Sequence, residues 1–159
     1  MKRIFPIIII LMALFAISCK KAIPDYGKTA TENASNGWWV TFTLGGQDVY
    51  GLGHQFISTY NTSENPDSIW IDDLGHTWNF KCKAAINYQA LTFSTTSSQN
   101  EYYDDTVTIQ NGKILLKAGH SKSGNVTDSI YMEATFSDDP TDTYIISGTA
   151  RTGFIEDDY

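Results

Sequence analysis

The sequence contains few of the residues that build disulfide-rich or metal-binding domains. Only two of its 159 residues are cysteines, and three are histidines. Two cysteines cannot form the disulfide framework of a small secreted domain. The histidines, at positions 54, 76 and 120, have no second ligand at the short spacing of metal-binding motifs. We therefore expect no disulfides, no bound metal and no cofactor.

Positive charge is also scarce. The chain has 11 lysines and arginines against 18 aspartates and glutamates, which gives a net charge of −7 at neutral pH. Such an acidic surface repels phosphate backbones, so nucleic acid is not an expected partner. Aromatic residues, by contrast, make up 13% of the chain. This composition indicates a globular domain and not a disordered tail.

Helical periodicity is missing after Gly37, where apolar and polar residues alternate instead. The apolar stripes include Trp38/Val40/Phe42, Trp78/Phe80/Cys82/Ala84/Ile86, Ile114/Leu116/Ala118 and Ile130/Met132/Ala134/Phe136. Turn signals separate the stripes and include Gly45-Gly46, Asp73-Leu74-Gly75, Asn111-Gly112 and Asp138-Asp139-Pro140. The pattern predicts an all-β fold of eight or nine antiparallel strands. An up-and-down barrel of about eight strands is favoured over a sandwich because closure removes the exposed edges.

The first 20 residues carry an export signal. Lys2 and Arg3 precede an apolar run at residues 4–17 that is too short to span a bilayer as a helix. The segment Ala16-Ile17-Ser18-Cys19 resembles the bacterial lipobox, with Ala16 where leucine is commonest. We predict a signal peptide at residues 1–18, a lipidated Cys19 with a flexible tether at residues 19–36, and one domain at residues 37–159. The expected location is the cell envelope, on the outer membrane, with the membrane face left open.

No catalytic residue is predicted. A Gly-x-Ser-x-Gly nucleophile motif does not occur, and the only similar stretch, residues 119–123, lies in a predicted β-turn. Cys82 alternates with aromatic residues, so we expect a buried thiol and not a nucleophile. Pairs of aspartates at positions 72–73 and 138–139 are interpreted as turn residues. An enzyme is therefore not favoured.

Several short pieces, in order along the domain, resemble one protein family. Residues 37–159 are similar to the "lipid-binding putative hydrolase" lipoproteins of Bacteroidetes, which are lipocalin-like barrels. The matching pieces are Gly37-Trp38-Trp39-Val40-Thr41, Thr59-Tyr60-Asn61-Thr62-Ser63, Ser68-Ile69-Trp70-Ile71-Asp72-Asp73, Trp78-Asn79-Phe80-Lys81-Cys82-Lys83, Asn111-Gly112-Lys113-Ile114-Leu115, Asp128-Ser129-Ile130 and Ser147-Gly148-Thr149-Ala150-Arg151-Thr152-Gly153-Phe154. The resemblance implies a barrel fold and a hydrophobic ligand.

The first of these pieces also resembles the Gly-x-Trp of lipocalins, whose tryptophan packs against an arginine from the last strand. That resemblance points Trp39 into the barrel, with Arg151 as its partner. Alternation instead points Trp38, Val40 and Phe42 inward, because a shift of one residue exchanges the two faces of a strand. Which indole faces inward stays open at this point.

The predicted function is binding of a lipid or other hydrophobic, fatty-acid-like molecule in the barrel by a protein held at the membrane through its lipid anchor. The candidate ligand-binding residues are Trp39, Tyr60, Trp70, Trp78, Phe80, Tyr88, Met132, Phe136, Tyr144 and Arg151. For the large apolar ones, Trp70, Trp78, Phe80, Tyr88, Met132, Phe136 and Tyr144, the alternative is that they fill the barrel as core. Trp70 alternates against Ile69 and Ile71, so it is expected on the outer face, where it could stack on a sugar ring. Two alternatives stay open: a glycan- or protein-binding accessory lipoprotein with a filled core, and a hydrolase.

Overall fold

A computed structural model describes residues 30–64 and 66–159 of the chain. The predicted signal peptide, Cys19 and most of the predicted tether lie outside the described residues. The nine strands are β1 (Asn36–Leu44), β2 (Gln47–Asp48), β3 (Gln55–Asn61), β4 (Ser68–Asp72), β5 (Lys81–Asn87), β6 (Thr92–Gln99), β7 (Thr106–His120), β8 (Val126–Phe136) and β9 (Asp139–Ala150). Helix in this part of the chain is confined to three 3₁₀ turns, Glu32–Ala34, Val49–Gly51 and Ile155–Asp157. Among the described residues, no helix has the length and apolarity needed to cross a membrane.

The strands form a closed antiparallel barrel. Strands β3 to β9 pair in chain order, and β1 pairs with β3 on one side and with β9 on the other. Eight strands therefore make the ring, and the two-residue β2 only extends the end of β1. At the seam, a Cβ added to Gly148 would lie 1.9 Å from the Trp39 carbonyl oxygen, so only glycine lets β9 approach β1 this closely. The predicted eight-stranded up-and-down barrel is confirmed.

Alternation correctly assigns the inward face of β1. Trp38, Val40 and Phe42 are completely buried, and Trp39 lies on the outer face. The Trp38 indole N–H donates to the Thr59 hydroxyl oxygen at 2.9 Å, and the Thr59 hydroxyl donates to the Ala34 carbonyl. The lipocalin-based orientation of Trp39 is therefore wrong, because the hydrogen-bonding needs of the Trp38 indole are met inside the barrel.

Side chains fill the barrel interior. Apolar residues from all eight ring strands form one buried cluster, whose largest members with almost no exposure are Trp38, Phe42, Phe80, Met132, seven isoleucines and Val40. Cys82 belongs to this cluster, and burial raises the pKa of its thiol to about 12. The predicted burial of this thiol is confirmed.

Strand β7 differs from the prediction. Asn111-Gly112 does not form a hairpin but lies inside the 15-residue strand, where Asn111 adopts a φ of 52° and the pairing with β8 shifts register. A Cβ on Gly112 would lie 2.4 Å from Phe93, so glycine is needed here for close packing and not for a turn. A second register shift follows Leu115, and the predicted inward residues Leu116 and Ala118 are exposed. The prediction of these two residues as core is therefore wrong.

The up-and-down order separates two ends of the barrel. The connections after β1, β4, β6 and β8 lie at one end, which we call the open end. The connections after β3, β5 and β7 lie at the other end, with the chain entering at residues 30–35 and leaving after Ala150. We call this second end the closed end, because Trp38 and the 3₁₀ turn Glu32–Ala34 cover it.

Candidate functional site: an aromatic cleft at the open end

A cleft of about 450 Å³ lies at the open end of the barrel. Each of the four connections at this end, taken with the strand residues that flank it, contributes to its lining. We call it the mouth cleft and define it by Tyr50, Trp78, Tyr103, Asp104, Asp105, Phe136, Asp138, Asp139 and Tyr144. Its volume falls within the range of small-molecule sites, roughly 300–1,000 Å³.

Aromatic rings form the floor of the mouth cleft. The Trp78 ring packs edge-on against Phe42 at 4.9 Å between centroids and against Phe136 at 5.4 Å. Tyr144 lies 4.5 Å from Trp78 on the same floor. Phe136 and Tyr144 are buried, whereas Trp78 is partly exposed. The floor is therefore continuous with the core and presents an apolar surface to solvent.

A buried carboxylate holds the loop that carries Trp78. Asp73, directly after β4, is fully buried and accepts hydrogen bonds from the backbone N–H groups of Gly75, Thr77, Asn79 and Phe80, and from the Thr77 hydroxyl. A buried charge is tolerated only when it is fully hydrogen bonded, as this one is. The loop therefore has one well-defined conformation, which fixes Trp78 before any ligand arrives.

Four aspartates, at positions 104, 105, 138 and 139, form the rim of the mouth cleft. The Tyr144 hydroxyl donates to Asp139 Oδ2 at 2.6 Å, and this hydrogen bond, with burial, raises the pKa of Tyr144. Asp105 Oδ1 is buried and has no hydrogen-bond partner among the described residues. No lysine, arginine or histidine is among the residues that line the cleft. The rim is therefore an acidic border around an apolar floor.

A comparison with known protein families assigns the chain. The family described as "Lipid-binding putative hydrolase" matches residues 23–155. The chain belongs to this family. The resemblance found in the short pieces along the domain is therefore confirmed. No curated protein matches the chain.

The candidate residues of this family member fall into several separate places. Trp78, Phe136 and Tyr144 lie together in the mouth cleft. Phe80 and Met132 are fully buried in the core, although Phe80 touches the cleft floor through Phe136 at 5.5 Å. Three of the ten candidates thus line the cleft, two lie in the core, and the rest lie elsewhere on the barrel.

Tyr60 and Trp70 lie next to each other on the outer face of β3 and β4. The ammonium groups of Lys81 and Lys83 each lie 4.8 Å from the Trp70 ring centroid, and Lys81 also lies 5.8 Å from the Tyr60 ring. These cation–π contacts occupy the ring that a sugar would need for stacking. Tyr88 lies apart from both groups and donates its hydroxyl to the Ser68 carbonyl at 3.4 Å.

Trp39 and Arg151 lie near each other outside the barrel at the closed end. Asp158 joins them: it forms a two-point ion pair with Arg151 and accepts the Trp39 indole N–H at 3.3 Å. The Arg151 guanidinium lies 6.0 Å from the Phe56 ring. The expected stacking of this arginine on an indole is therefore replaced by an ion pair and a contact with Phe56.

The first aspartate pair is already satisfied by protein donors. Asp72 accepts hydrogen bonds from the hydroxyls of Tyr60 and Tyr102 and from the Leu74 N–H. Burial and its own hydrogen bond to Asp72 raise the pKa of Tyr102 to about 12. Asp73 is saturated by the loop N–H groups described above. Within residues 30–64 and 66–159, no group of three or more histidine, cysteine, aspartate or glutamate side chains is arranged to hold a metal.

Two of the three histidines make contacts outside the mouth cleft. His54 stacks on Tyr159 at 3.7 Å, and burial lowers its pKa. His76 Nδ1 lies 3.2 Å from the Phe56 carbonyl oxygen. In the described part of the chain, no hydrogen bond joins a histidine ring to a serine, threonine or cysteine. What the described geometry provides is a preformed apolar binding surface with an acidic border.

Sequence reasoning missed most of the rim. Tyr50 and Tyr103 are 86% and 57% exposed, yet both line the mouth cleft together with the four aspartates. These residues lie in or beside turns, where no stripe marks the direction of a side chain. One sequence signal could have found these rim residues. Aromatic and acidic residues cluster in alternate connections, and an up-and-down barrel brings alternate connections to the same end.

Proposed function

We propose that this protein binds a hydrophobic small molecule or the apolar part of an amphiphile in the mouth cleft. The observation that carries the proposal is the partly exposed Trp78 on a buried aromatic floor, fixed by the Asp73 loop. Membership of a family described as lipid-binding supports the same conclusion. The ligand would lie on the floor and under the loops, because side chains occupy the barrel interior.

Apolar burial would supply the favourable part of the binding free energy at such a site. Burial of one methylene group contributes about 0.8 kcal/mol. Six buried methylenes would therefore contribute about 5 kcal/mol before the cost of association is subtracted. Preorganisation of Trp78 lowers that cost because the loop does not have to become ordered on binding.

The anchor is a second part of the proposal. Cys19 in the lipobox-like segment would carry the lipid and hold the protein at the cell envelope. The chain enters the barrel at the closed end, so this arrangement would direct the mouth cleft away from the anchor. Cells fed an alkyne-labelled fatty acid should label the protein, the Cys19→Ser variant should lose the label, and Cys82→Ser should keep it. Labelling that survives in Cys19→Ser would contradict the anchor.

Binding in the mouth cleft is tested by calorimetric titration with 1-octanol, an uncharged amphiphile. The Trp78→Ala variant should bind at least about tenfold more weakly, since it loses the centre of the floor. Trp70→Ala is the matched control, because it removes the same side chain from the outer face and should leave affinity unchanged. Both variants should unfold cooperatively in urea. An unchanged affinity in Trp78→Ala, or no binding of octanol by the natural protein, would refute the proposal.

A further inference from the structure

We propose that Tyr50 limits the length of the apolar chain that the mouth cleft accepts. This tyrosine separates the mouth cleft from a second, smaller groove that continues the same apolar floor. The inference rests on the proposed function and adds to it a residue that determines specificity. The class of ligand that Tyr50 selects is an amphiphile whose apolar chain ends at the Tyr50 ring.

A second groove, of about 290 Å³, lies beside the mouth cleft at the open end, and we call it the side groove. Tyr50, Asp139 and Tyr144 line both spaces, so the two adjoin along these three residues. Leu44 and Val49 line the side groove and not the mouth cleft. A chain that lies in the mouth cleft would therefore reach the side groove past the three shared residues.

The floor of the side groove belongs to the core. Val49 and Tyr144 are buried members of the core cluster, and Leu44 packs against that cluster. The lining also includes the polar residues Gln47, Asp48 and Asp142. Because the floor is apolar, methylene groups that reach it would leave water as they do on the floor of the mouth cleft. Space and an apolar surface for a longer chain thus exist next to the mouth cleft.

Tyr50 is the exposed part of the boundary between the two spaces. Tyr144 is buried and Asp139 is half-buried, and the Tyr144 hydroxyl donates to Asp139 Oδ2 at 2.6 Å. Tyr50, in contrast, is 86% exposed. The first two residues therefore form a fixed part of the boundary. A chain that crosses it has to displace the Tyr50 ring, and each methylene added beyond that point gains less binding free energy.

The backbone of Tyr50 indicates that the ring has a role beyond the turn. Tyr50 has a φ of 56° and lies between the buried Val49 and Gly51, whose φ is 66°. Bulky side chains are disfavoured in this left-handed region, where glycine or asparagine makes the same turn at lower cost. Strained residues of this kind cluster at sites that hold ligands. The position of the ring between two apolar spaces supplies such a role.

The test is a series of calorimetric titrations with straight-chain alcohols from 1-hexanol to 1-dodecanol. Each added methylene should tighten binding about fourfold while the chain lies on the floor of the mouth cleft. Beyond one chain length, which we call the break, the natural protein should gain less than about twofold per methylene. In Tyr50→Ala the fourfold gain should continue past the break, so this variant should bind 1-dodecanol at least about tenfold more tightly than the natural protein does. A break at the same length in both proteins, or no break in the natural protein, would overturn the proposal.

Two further variants separate the boundary from a general effect of exposed side chains. Tyr103 is an exposed tyrosine that lines the mouth cleft and not the side groove. Tyr103→Ala should change the affinity for all the alcohols by one common factor and leave the break at the same length. Gln47 is exposed and lines only the side groove, so Gln47→Trp should fill that groove and cancel the gain of Tyr50→Ala in the double variant. A shifted break in Tyr103→Ala, or a gain that persists in the double variant, would overturn the inference.

Failure of this inference is distinguishable from failure of the proposed function. If Trp78→Ala weakens octanol binding but Tyr50→Ala leaves the break unchanged, only the inference is overturned. If the natural protein binds none of the alcohols, the proposed function is refuted as well. Tyr50, Tyr103 and Gln47 are exposed, so their variants should unfold cooperatively in urea like the natural protein.

Discussion

The two ends of the barrel use the same kind of residue in opposite ways. At the closed end, Trp38 is completely buried, and its indole N–H is satisfied by Thr59. At the open end, Trp78 packs on Phe42 and Tyr144 and keeps part of its surface exposed to the mouth cleft. All of the Trp38 surface is covered by the protein, whereas part of the Trp78 surface stays exposed in the mouth cleft. Under the proposed function, the closed end provides stability and the open end provides binding.

Two aspartates, one at each end, also differ in their hydrogen bonding. At the closed end Asp157 is buried and accepts hydrogen bonds from the Thr152 hydroxyl and the Ser123 N–H. At the open end Asp105 Oδ1 is buried without a partner among the described residues. The Ser35 hydroxyl oxygen, in the segment that enters at the closed end, is likewise buried without a partner among the described residues, so the difference holds for these two aspartates and not for every polar group. Substitutions at each end test this difference.

The largest effect is expected at the closed end. Trp38→Ala removes a large, completely buried side chain, so it should lower the free energy of unfolding by about 3–5 kcal/mol. Trp39→Ala is the matched neighbour on the outer face and should cost about 1 kcal/mol. Urea unfolding followed by circular dichroism measures both. Equal losses at the two positions would contradict the inward assignment of Trp38.

The next effect is expected in the loop that carries Trp78. Asp73→Asn puts an amide where the carboxylate accepts four backbone N–H groups and one hydroxyl. The free energy of unfolding should fall by about 2–4 kcal/mol because buried donors lose their acceptor. Octanol affinity should fall as well, since Trp78 is no longer held in place. Asp138→Asn, the same change in an exposed turn, should leave stability nearly unchanged, and a loss equal to that of Asp73→Asn would argue against this role of the Asp73 carboxylate.

A smaller effect on stability is expected at Trp78 itself. Trp78 is partly exposed, so Trp78→Ala should lower the free energy of unfolding by only about 1–2 kcal/mol. The same substitution should have the larger effect on ligand affinity, whereas Trp38→Ala should act on stability first. Urea unfolding measures the stability of each variant, and octanol titration measures its affinity for the ligand. A loss of stability in Trp78→Ala that matches Trp38→Ala would remove the distinction between the ends.

Much of the barrel could be predicted from the sequence because strand alternation is a local property. Trp38, Val40 and Phe42 face inward as their spacing requires. The Asn111-Gly112 prediction failed because positive φ and a missing Cβ serve a β-bulge as well as a hairpin turn. Only packing against Phe93, which is distant in sequence, decides between the two.

The candidate site could be predicted only in part. Trp78, Phe136 and Tyr144 belong to apolar stripes, so they could be named as ligand candidates before the fold was known. Tyr50, Tyr103 and Asp105 lie in or beside separate connections, and only closure of the barrel brings them to one cleft. Residues that meet through closure leave no spacing pattern along the chain, which is why the acidic rim was missed.

The smallest effect concerns the acid stability of the closed end. Hydrogen bonds from Thr152 and Ser123 lower the pKa of Asp157 well below its ordinary value of 3.8. A group whose pKa is lower in the folded state stabilises the fold above its unfolded pKa and loses that contribution as pH falls through the folded value. Asp157→Asn should therefore be less stable than the natural protein at pH 7, and the difference should shrink as pH falls below 3.8. Thermal unfolding of both proteins from neutral to acidic pH measures the convergence. A difference that stays constant over this range would show that the Asp157 charge does not stabilise the closed end, because the loss would then come from shape alone.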